Sequence, residues 1–335
     1  MWSADAPGAG VLWPQAGQAI GMRTITVSEP GGPEVLQVGS AEIPRPGADE
    51  VLVRVVAAGV GPWDAAMRSG RLGGSMPYIP GAEFAGTVVG DTGAQSAFED
   101  GEPVYGYPGL TGCYAEYVTC PAEQLAPIPP GLDGTDAGAV PVIGVTALQG
   151  LTDVLGIGVG DDVLIAAASG GVGHIAVQIA RALGANVIAT ASPPNHDFLH
   201  ELGAAEVVDH TKPDWPDQVR SLTGGGADRV LACAAPALAG AASATRDNGV
   251  IATPVVAADL PDAGRVDWHR FNGQPSGTSL IRMAPWFDDG SLAVHVAQRY
   301  FLTDAPAAHR DIENGHTRGK LLLIVDEDRA AQSGL

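Results

Sequence analysis

The chain is short of cysteine, of aromatic side chains and of positive charge, and each shortage narrows what it can be. Its three cysteines, Cys113, Cys120 and Cys233, cannot build a disulfide framework, which fits a reducing cytoplasm. They form no CxxC pair, so spacing excludes a structural zinc cluster. His196 and His200 stand four apart, but without an HExxH glutamate or an evident third ligand they read as solvated residues, and no metal is expected. Lys and Arg number 18 against 38 Asp and Glu, and the net charge of −20 argues against a nucleic-acid or anionic-membrane surface. No apolar run reaches the roughly 18 residues of a membrane-spanning helix. Residues 1–21 lack the basic and apolar regions of a secretory signal and read as a disordered extension.

What is present is a globular balance, with 45% hydrophobic residues, and 335 residues give room for two domains. Residues 22–123 read as β-rich, with Gly and Pro separating strand-like runs at 50–56, 84–89 and 112–118. Near residue 135 the pattern changes. A small-residue apolar stretch over 135–155 predicts a helix. Strands at 162–168, 186–190, 206–208, 229–233 and 249–253 then alternate with helices at 172–183, 197–202, 214–222 and 238–245. This α/β alternation predicts a doubly wound parallel sheet of Rossmann type, covered on both faces. Helices at 278–284 and 305–313 and strands at 294–300 and 320–325 complete the chain. The tail is expected to return to the first domain. Residues 124–274 would then be an inserted cofactor domain, and 22–123 with 275–335 the catalytic one.

The most informative stretch runs from Val163 to Ala176. Gly171, Gly173 and Ala176 form G-x-G-x-x-A where a buried strand turns into a helix, so the turn Ser169, Gly170, Gly171, Val172, Gly173 is expected to hold a dinucleotide pyrophosphate. Gly171 would permit the tight turn, Gly173 the approach of the pyrophosphate, and Ala176 the close packing of helix on sheet. The phosphates would lie on the unpaired amides that open the helix. An NAD site usually ends its second strand with an acid; here the chain reads Ala189-Thr190-Ala191-Ser192. That absence favours NADP(H), with Ser192 as a donor to the 2′-phosphate and Asn195, His196 and His210 as further candidates. The two histidines read more readily as exposed loop or strand-end residues. No Lys or Arg lies between Leu183 and Thr211 to supply a cation.

Further landmarks are Val51-Leu52-Val53-Arg54-Val55, Pro77-Tyr78-Ile79-Pro80-Gly81-Ala82-Glu83-Phe84, Tyr114-Ala115-Glu116-Tyr117, Thr146-Ala147-Leu148 and Gly315-His316-Thr317-Arg318-Gly319-Lys320. With these, from Met22 to about Val325, the chain resembles the quinone oxidoreductase branch of the medium-chain dehydrogenase/reductase superfamily. The resemblance implies a GroES-like catalytic domain, an NADP(H)-binding Rossmann domain, a substrate cleft between them and a homodimer. It implies that Thr146 faces the nicotinamide and that Lys320 reaches the cofactor from the other domain; for Lys320 a solvated strand position is the alternative. The zinc-bearing relatives carry Cys and His where this chain has Gly61 and Ala82, and quinone oxidoreductases often carry Asn at the Gly61 position. The end of the fourth cofactor-domain strand also departs from the family wording, as Ala232-Cys233-Ala234-Ala235.

Without zinc, a hydride acceptor must already be electron-poor: a quinone, an enone or an unsaturated thioester. Tyr78 and Asp64 are the candidates for supplying the proton. Tyr78 reads alternatively as a support for the Pro80-Gly81 turn, and Asp64 as the cap of a helix beginning at Ala65. Trp63 and Tyr107 would form an aromatic wall or pack in the core, and His174 would pack or meet solvent. Two functions are compatible with these residues: an NADPH-dependent reductase, or a catalytically decayed nucleotide-binding protein acting as redox sensor or structural component.

Overall fold

The computed structural model describes residues 21–90, 97–255, 259–261 and 264–326. Apart from Gly21, the expected N-terminal extension lies outside these residues. The chain opens with an antiparallel ribbon of β1 (Gly21–Thr26) and β2 (Gln37–Glu42). The long strand β3 (Glu50–Val60) is the spine of the β-rich domain. After it come helix α1 (Pro62–Arg68) and strands β4 (Phe84–Val88), β5 (Pro103–Gly106), β6 (Tyr117–Pro121) and β7 (Leu125–Pro127). β3 pairs with both β4 and β6, and all its residues from Val51 to Val60 except Arg54 are buried, as a centrally placed strand requires.

The helix expected over 135–155 is divided into a 3-10 turn Asp136–Ala139, helix α2 (Pro141–Gln149) and a π turn Gly150–Val154. Pro141 explains the first break: lacking an N–H, it is tolerated as the opening residue of a helix and not within one. Then β8 (Asp162–Ala166), α3 (Gly171–Ala182), β9 (Asn186–Ala191), α4 (His196–Glu201), β10 (Glu206–Asp209), α5 (Trp215–Leu222), β11 (Ala227–Ala232), α6 (Leu238–Ala244), β12 (Thr245–Thr253) and β13 (Asp267–Arg270) build a six-stranded parallel sheet. Its order is β10-β9-β8-β11-β12-β13, so the winding reverses between β8 and β11. Alternation along β8 serves both faces: Val163 and Ile165 join one core with Ile175 and Ile179, and Leu164 and Ala166 join another with Val219 and Val230.

The tail forms α7 (Gly277–Asp288), β14 (Val296–Phe301), α8 (Ala305–Glu313) and β15 (Lys320–Ile324). β15 lies antiparallel to β3, with Leu321 opposite Val60, and parallel to β14. Three expectations need correction. Residues 112–114 are not strand; the amides of Gly112, Cys113 and Tyr114 bond the carbonyls of Ile79, Gly81 and Pro80, and β6 starts only at Tyr117. Helix α7 runs on through Pro285 to Asp288. The fifth sheet strand starts at Thr245, and short strands β2, β5, β7 and β13 carry too little alternation to be anticipated.

Candidate nucleotide-binding and active site

At the end of β8 the chain reverses at Ala167, which adopts φ 62°, and passes through Ser169 to Gly170, the N-cap of α3. The amides of Gly171, Val172 and Gly173 have no intrahelical acceptors and sit at the positive end of the helix. The glycines divide the work differently from the sequence expectation. Gly171 is not in the left-handed region; a Cβ there would approach Ile143 and the Lys320 stem at 3.2 and 3.3 Å. A Cβ on Gly173 would lie 2.6 Å from the Cα and carbonyl oxygen of Ala168, so this glycine lets α3 close onto the preceding turn. Gly170 is the open position, with only the Ala167 carbonyl within 3.7 Å.

Two elements brace the turn. His174 is buried, its Nδ1 3.0 Å from the Gly170 carbonyl and its Nε2 accepting the His295 amide at 3.2 Å. These partners require a neutral ring that donates from Nδ1, and burial pushes its pKa down to about 4. It does not meet solvent. From the other sheet, the Gly319 amide donates to the Ser169 carbonyl at 2.9 Å. Gly319 must be glycine on two counts: its φ is 68°, and a Cβ would sit 2.1 Å from the His295 carbonyl oxygen.

Lys320 is buried, not solvated. Its ammonium lies 2.6 Å from Glu83 Oε1, 2.9 Å from the Val60 carbonyl and 4.7 Å from the Trp63 ring centroid. Glu83 Oε2 accepts the Val142 amide near the start of α2 at 2.7 Å. The stem of Lys320 thus passes Gly171 while its charge is committed to Glu83, a partner 237 residues away that the sequence offered no means of pairing with it.

Around this pair, Trp63, Ala82, Tyr107 and Val142 pack together. A Cβ on Gly61 would fall 2.3 Å from the Trp63 indole, so a side chain at 61 and the ring in this place exclude each other. Asp64 is buried in α1 and accepts the Gly61 amide through Oδ2 at 2.8 Å; it caps the helix from inside, and the helix begins at Pro62, not Ala65. Burial pushes its carboxyl up to about 7, against the opposing pull of that amide and of Lys320. Its Oδ1 makes no bond of good hydrogen-bond geometry, the buried Tyr114 hydroxyl being its side-chain neighbour. Tyr78 is half-buried against the β-rich core and exchanges backbone bonds with Val27; burial and then the Asp64 charge raise its phenol to about 12. Thr146 is buried in α2 against Gly273.

At the end of β9, Asn195 Nδ2 donates to Ser192 Oγ at 3.2 Å, and His196 Nε2 lies 3.2 Å from the Ala191 carbonyl. His210 is exposed, its amide on the same carbonyl at 3.4 Å. Arg318 reaches this loop from the tail, its Nε donating to Asn195 Oδ1 and its Nη2 to the Pro194 carbonyl, both at 2.8 Å. Reasoning along the sequence met it only as part of the landmark Gly315-His316-Thr317-Arg318-Gly319-Lys320 and gave it no role, because it is more than 100 residues from the strand it serves. His200 bonds the Ala204 carbonyl. Among the described residues no three of His, Cys, Asp and Glu are grouped to hold a metal, and no helix is long and apolar enough to cross a membrane.

Two family models match: an alcohol dehydrogenase GroES-like domain over residues 47–130 and a zinc-binding dehydrogenase domain over 202–323. A quinone oxidoreductase of Mus musculus is 29% identical, covering 91% of this chain and 98% of its own length. A trans-enoyl reductase of Aspergillus terreus is 29% identical over 84% of this chain and 88% of its own. Among solved structures, an NAD-dependent alcohol dehydrogenase superposes with TM-score 0.82 at 34% identity, and a mycobacterial protein complexed with NADPH with TM-score 0.82 at 30%; each match covers 91% of this chain and 100% of the other.

Proposed function

Because this chain is an oxidoreductase of the medium-chain dehydrogenase/reductase superfamily, with a GroES-like domain beside a Rossmann-type sheet, we propose that it is a zinc-free, NADPH-dependent enzyme that delivers hydride to a quinone or an activated enone or enoyl substrate. The observation that carries the proposal is the glycine-rich turn: the mouth of α3 is lined by main-chain amides with no side-chain cap, and it is closed from the other sheet by the Gly319 backbone and the stem of Lys320. The residues are compatible with an NADP(H) molecule: Ser169 to Gly173 would meet the pyrophosphate, Thr146 the nicotinamide, the stem of Lys320 the cofactor from the other domain, and Ser192 and His210 the adenosine ribose. When bound, the reduced nicotinamide supplies the hydride.

The zinc-free reading is supported by Trp63, whose indole stands against Gly61 and Ala82, the positions where zinc-bearing relatives carry ligands. The indole packs with Tyr107, Ala82 and Val142 in one apolar cluster, which would present a flat wall to an acceptor and keep water from the transfer. Of the two proton candidates, Asp64 fits better: at about 7 its carboxyl exchanges protons near neutrality, whereas Tyr78 at about 12 holds its own. A cytoplasmic location, supported by the scarcity of cysteine, and a homodimer, supported by the outer edge of β13, which has no strand partner among the described residues, complete the proposal.

The test is to mix the protein with NADPH and a panel of quinones, enones and enoyl thioesters, with and without a chelator. Loss of reduced-nicotinamide absorbance that is indifferent to chelation is expected. Tight nucleotide binding with no acceptor turned over would instead support the catalytically decayed alternative, and chelator-sensitive turnover would refute the zinc-free reading.

A further inference from the structure

We propose that Arg318 is the residue that selects NADP(H), supplying to the loop after β9 the cation for the 2′-phosphate that this loop lacks; the proposal rests on reading the chain as a nicotinamide-dependent oxidoreductase. A 2′-phosphate in a partly desolvated site needs donors and a positive charge, and a guanidinium meets both needs with a planar fork. From Leu183 to Thr211 the sequence offers neither Lys nor Arg.

The tertiary structure supplies one. Arg318 Nε holds Asn195 Oδ1 and Nη2 holds the Pro194 carbonyl, both at 2.8 Å, while the Asn195 amide nitrogen reaches Ser192 Oγ at 3.2 Å. Hydroxyl, amide and guanidinium are therefore strung together at the carboxyl end of the second strand, where a sheet of this order receives the adenosine ribose. The guanidinium lies 5.0 Å from the centroid of Phe198, which in turn packs against His295 at 5.1 Å. Its backbone is fixed as well, since the next residue, Gly319, is bonded to Ser169 of the phosphate turn. Cation and pyrophosphate site thus stand in a set relation before any ligand arrives.

The charge is also uncompensated. Arg318 is only part-exposed, no carboxylate lies within ion-pair distance of it among the described residues, and its other N–H groups bond nothing there. In a chain of net charge −20, a held cation without a counter-charge is a place for an outside anion. The nearest competing feature is Asp209, opposite Ala191 in the strand register, which would suit a ribose hydroxyl and NAD(H) instead. Its Oδ1 is engaged by the amide and the hydroxyl of Thr211 at 3.0 and 2.6 Å.

The experiment measures dissociation constants for NADPH and NADH by nucleotide fluorescence on the full chain, for the parent protein and for Arg318→Gln, Arg318→Lys and Ser192→Asp, with thermal midpoints alongside. The parent should prefer NADPH. Arg318→Gln should weaken NADPH about 10- to 100-fold while NADH changes by less than about twofold, and Arg318→Lys should fall between. Ser192→Asp, which sets a carboxylate beside the phosphate position, should reverse the preference. Equal weakening of both nucleotides in Arg318→Gln would make the residue a loop clamp and overturn the proposal, as would no change in either. A parent protein that binds both nucleotides tightly without preferring NADPH overturns the coenzyme assignment. A parent that binds neither removes the functional reading beneath it.

Discussion

The glycine-rich turn and the buried Lys320–Glu83 cluster are adjacent, yet they are made in opposite ways. The turn is contiguous: residues 166–174 fold locally, and what they offer a ligand is main-chain amides. The cluster is assembled from side chains scattered through the chain, with Lys320 from the last strand, Glu83 and Val60 from the β-rich domain and Val142 from α2. A site built of backbone is sensitive to anything that adds volume. A site built of buried charges is sensitive to anything that removes a partner.

The largest effect should therefore come from the cluster. Glu83→Gln leaves the Lys320 ammonium buried without its counter-charge, and the protein should lose about 3 to 5 kcal/mol, read by denaturant unfolding. Adding Lys320→Met should recover most of it. A single variant as stable as the parent would mean that the ion pair makes no net contribution to stability.

Next comes the pH response of Asp64. The folded protein holds this proton up to about 7, while the unfolded chain releases it near the ordinary aspartate value of 3.8. Between those values the folded state binds the extra proton, so the contribution of Asp64 is fully present at low pH and is lost as pH rises toward 7. Asp64→Asn should remove this slope, gaining on the order of a few kcal/mol relative to the parent between pH 4 and 8. Buried His174 acts with the opposite sign, its pKa depressed to about 4 so that stability falls as pH drops below its unfolded value near 6.5. Being common to both proteins, it cancels in the difference.

In the turn, Gly173→Ala should cost about 1 to 3 kcal/mol, since the new methyl meets the backbone of Ala168. Nucleotide affinity should fall with it, because α3 must move away from the loop; calorimetric titration with NADPH checks this. The smallest effect is expected for Gly61→Asn, about 1 to 2 kcal/mol, as Trp63 is a side chain and can give way. Tryptophan fluorescence should report the displaced ring, and Trp63→Val in the same chain should relieve the strain.

Much of this molecule was legible before folding. The alternation of β8, α3 and β9 with a Gly-rich turn declared the parallel sheet and the turn proposed to hold phosphate, since both rest on local periodicity and on residues within one strand-turn-helix unit. The missing acid after β9 was equally plain. Lys320 was singled out, but its buried state was not, because a lysine is usually exposed and nothing near it in sequence announces Glu83. His174 looked incidental until His295 and the Gly170 carbonyl were placed on its two nitrogens.

By itself the order of residues determined the longer elements of the parallel sheet, the sheet type and the glycine-rich turn, since backbone geometry and hydrophobic period act over a few residues. Which charges meet was decided only by the tertiary structure. Antiparallel pairing of β15 with β3 carries Lys320 to Glu83, and the segment just before it carries Arg318 to Asn195. Coulombic and hydrogen-bonding partners are chosen by distance in space, and that distance does not exist until the last strand docks.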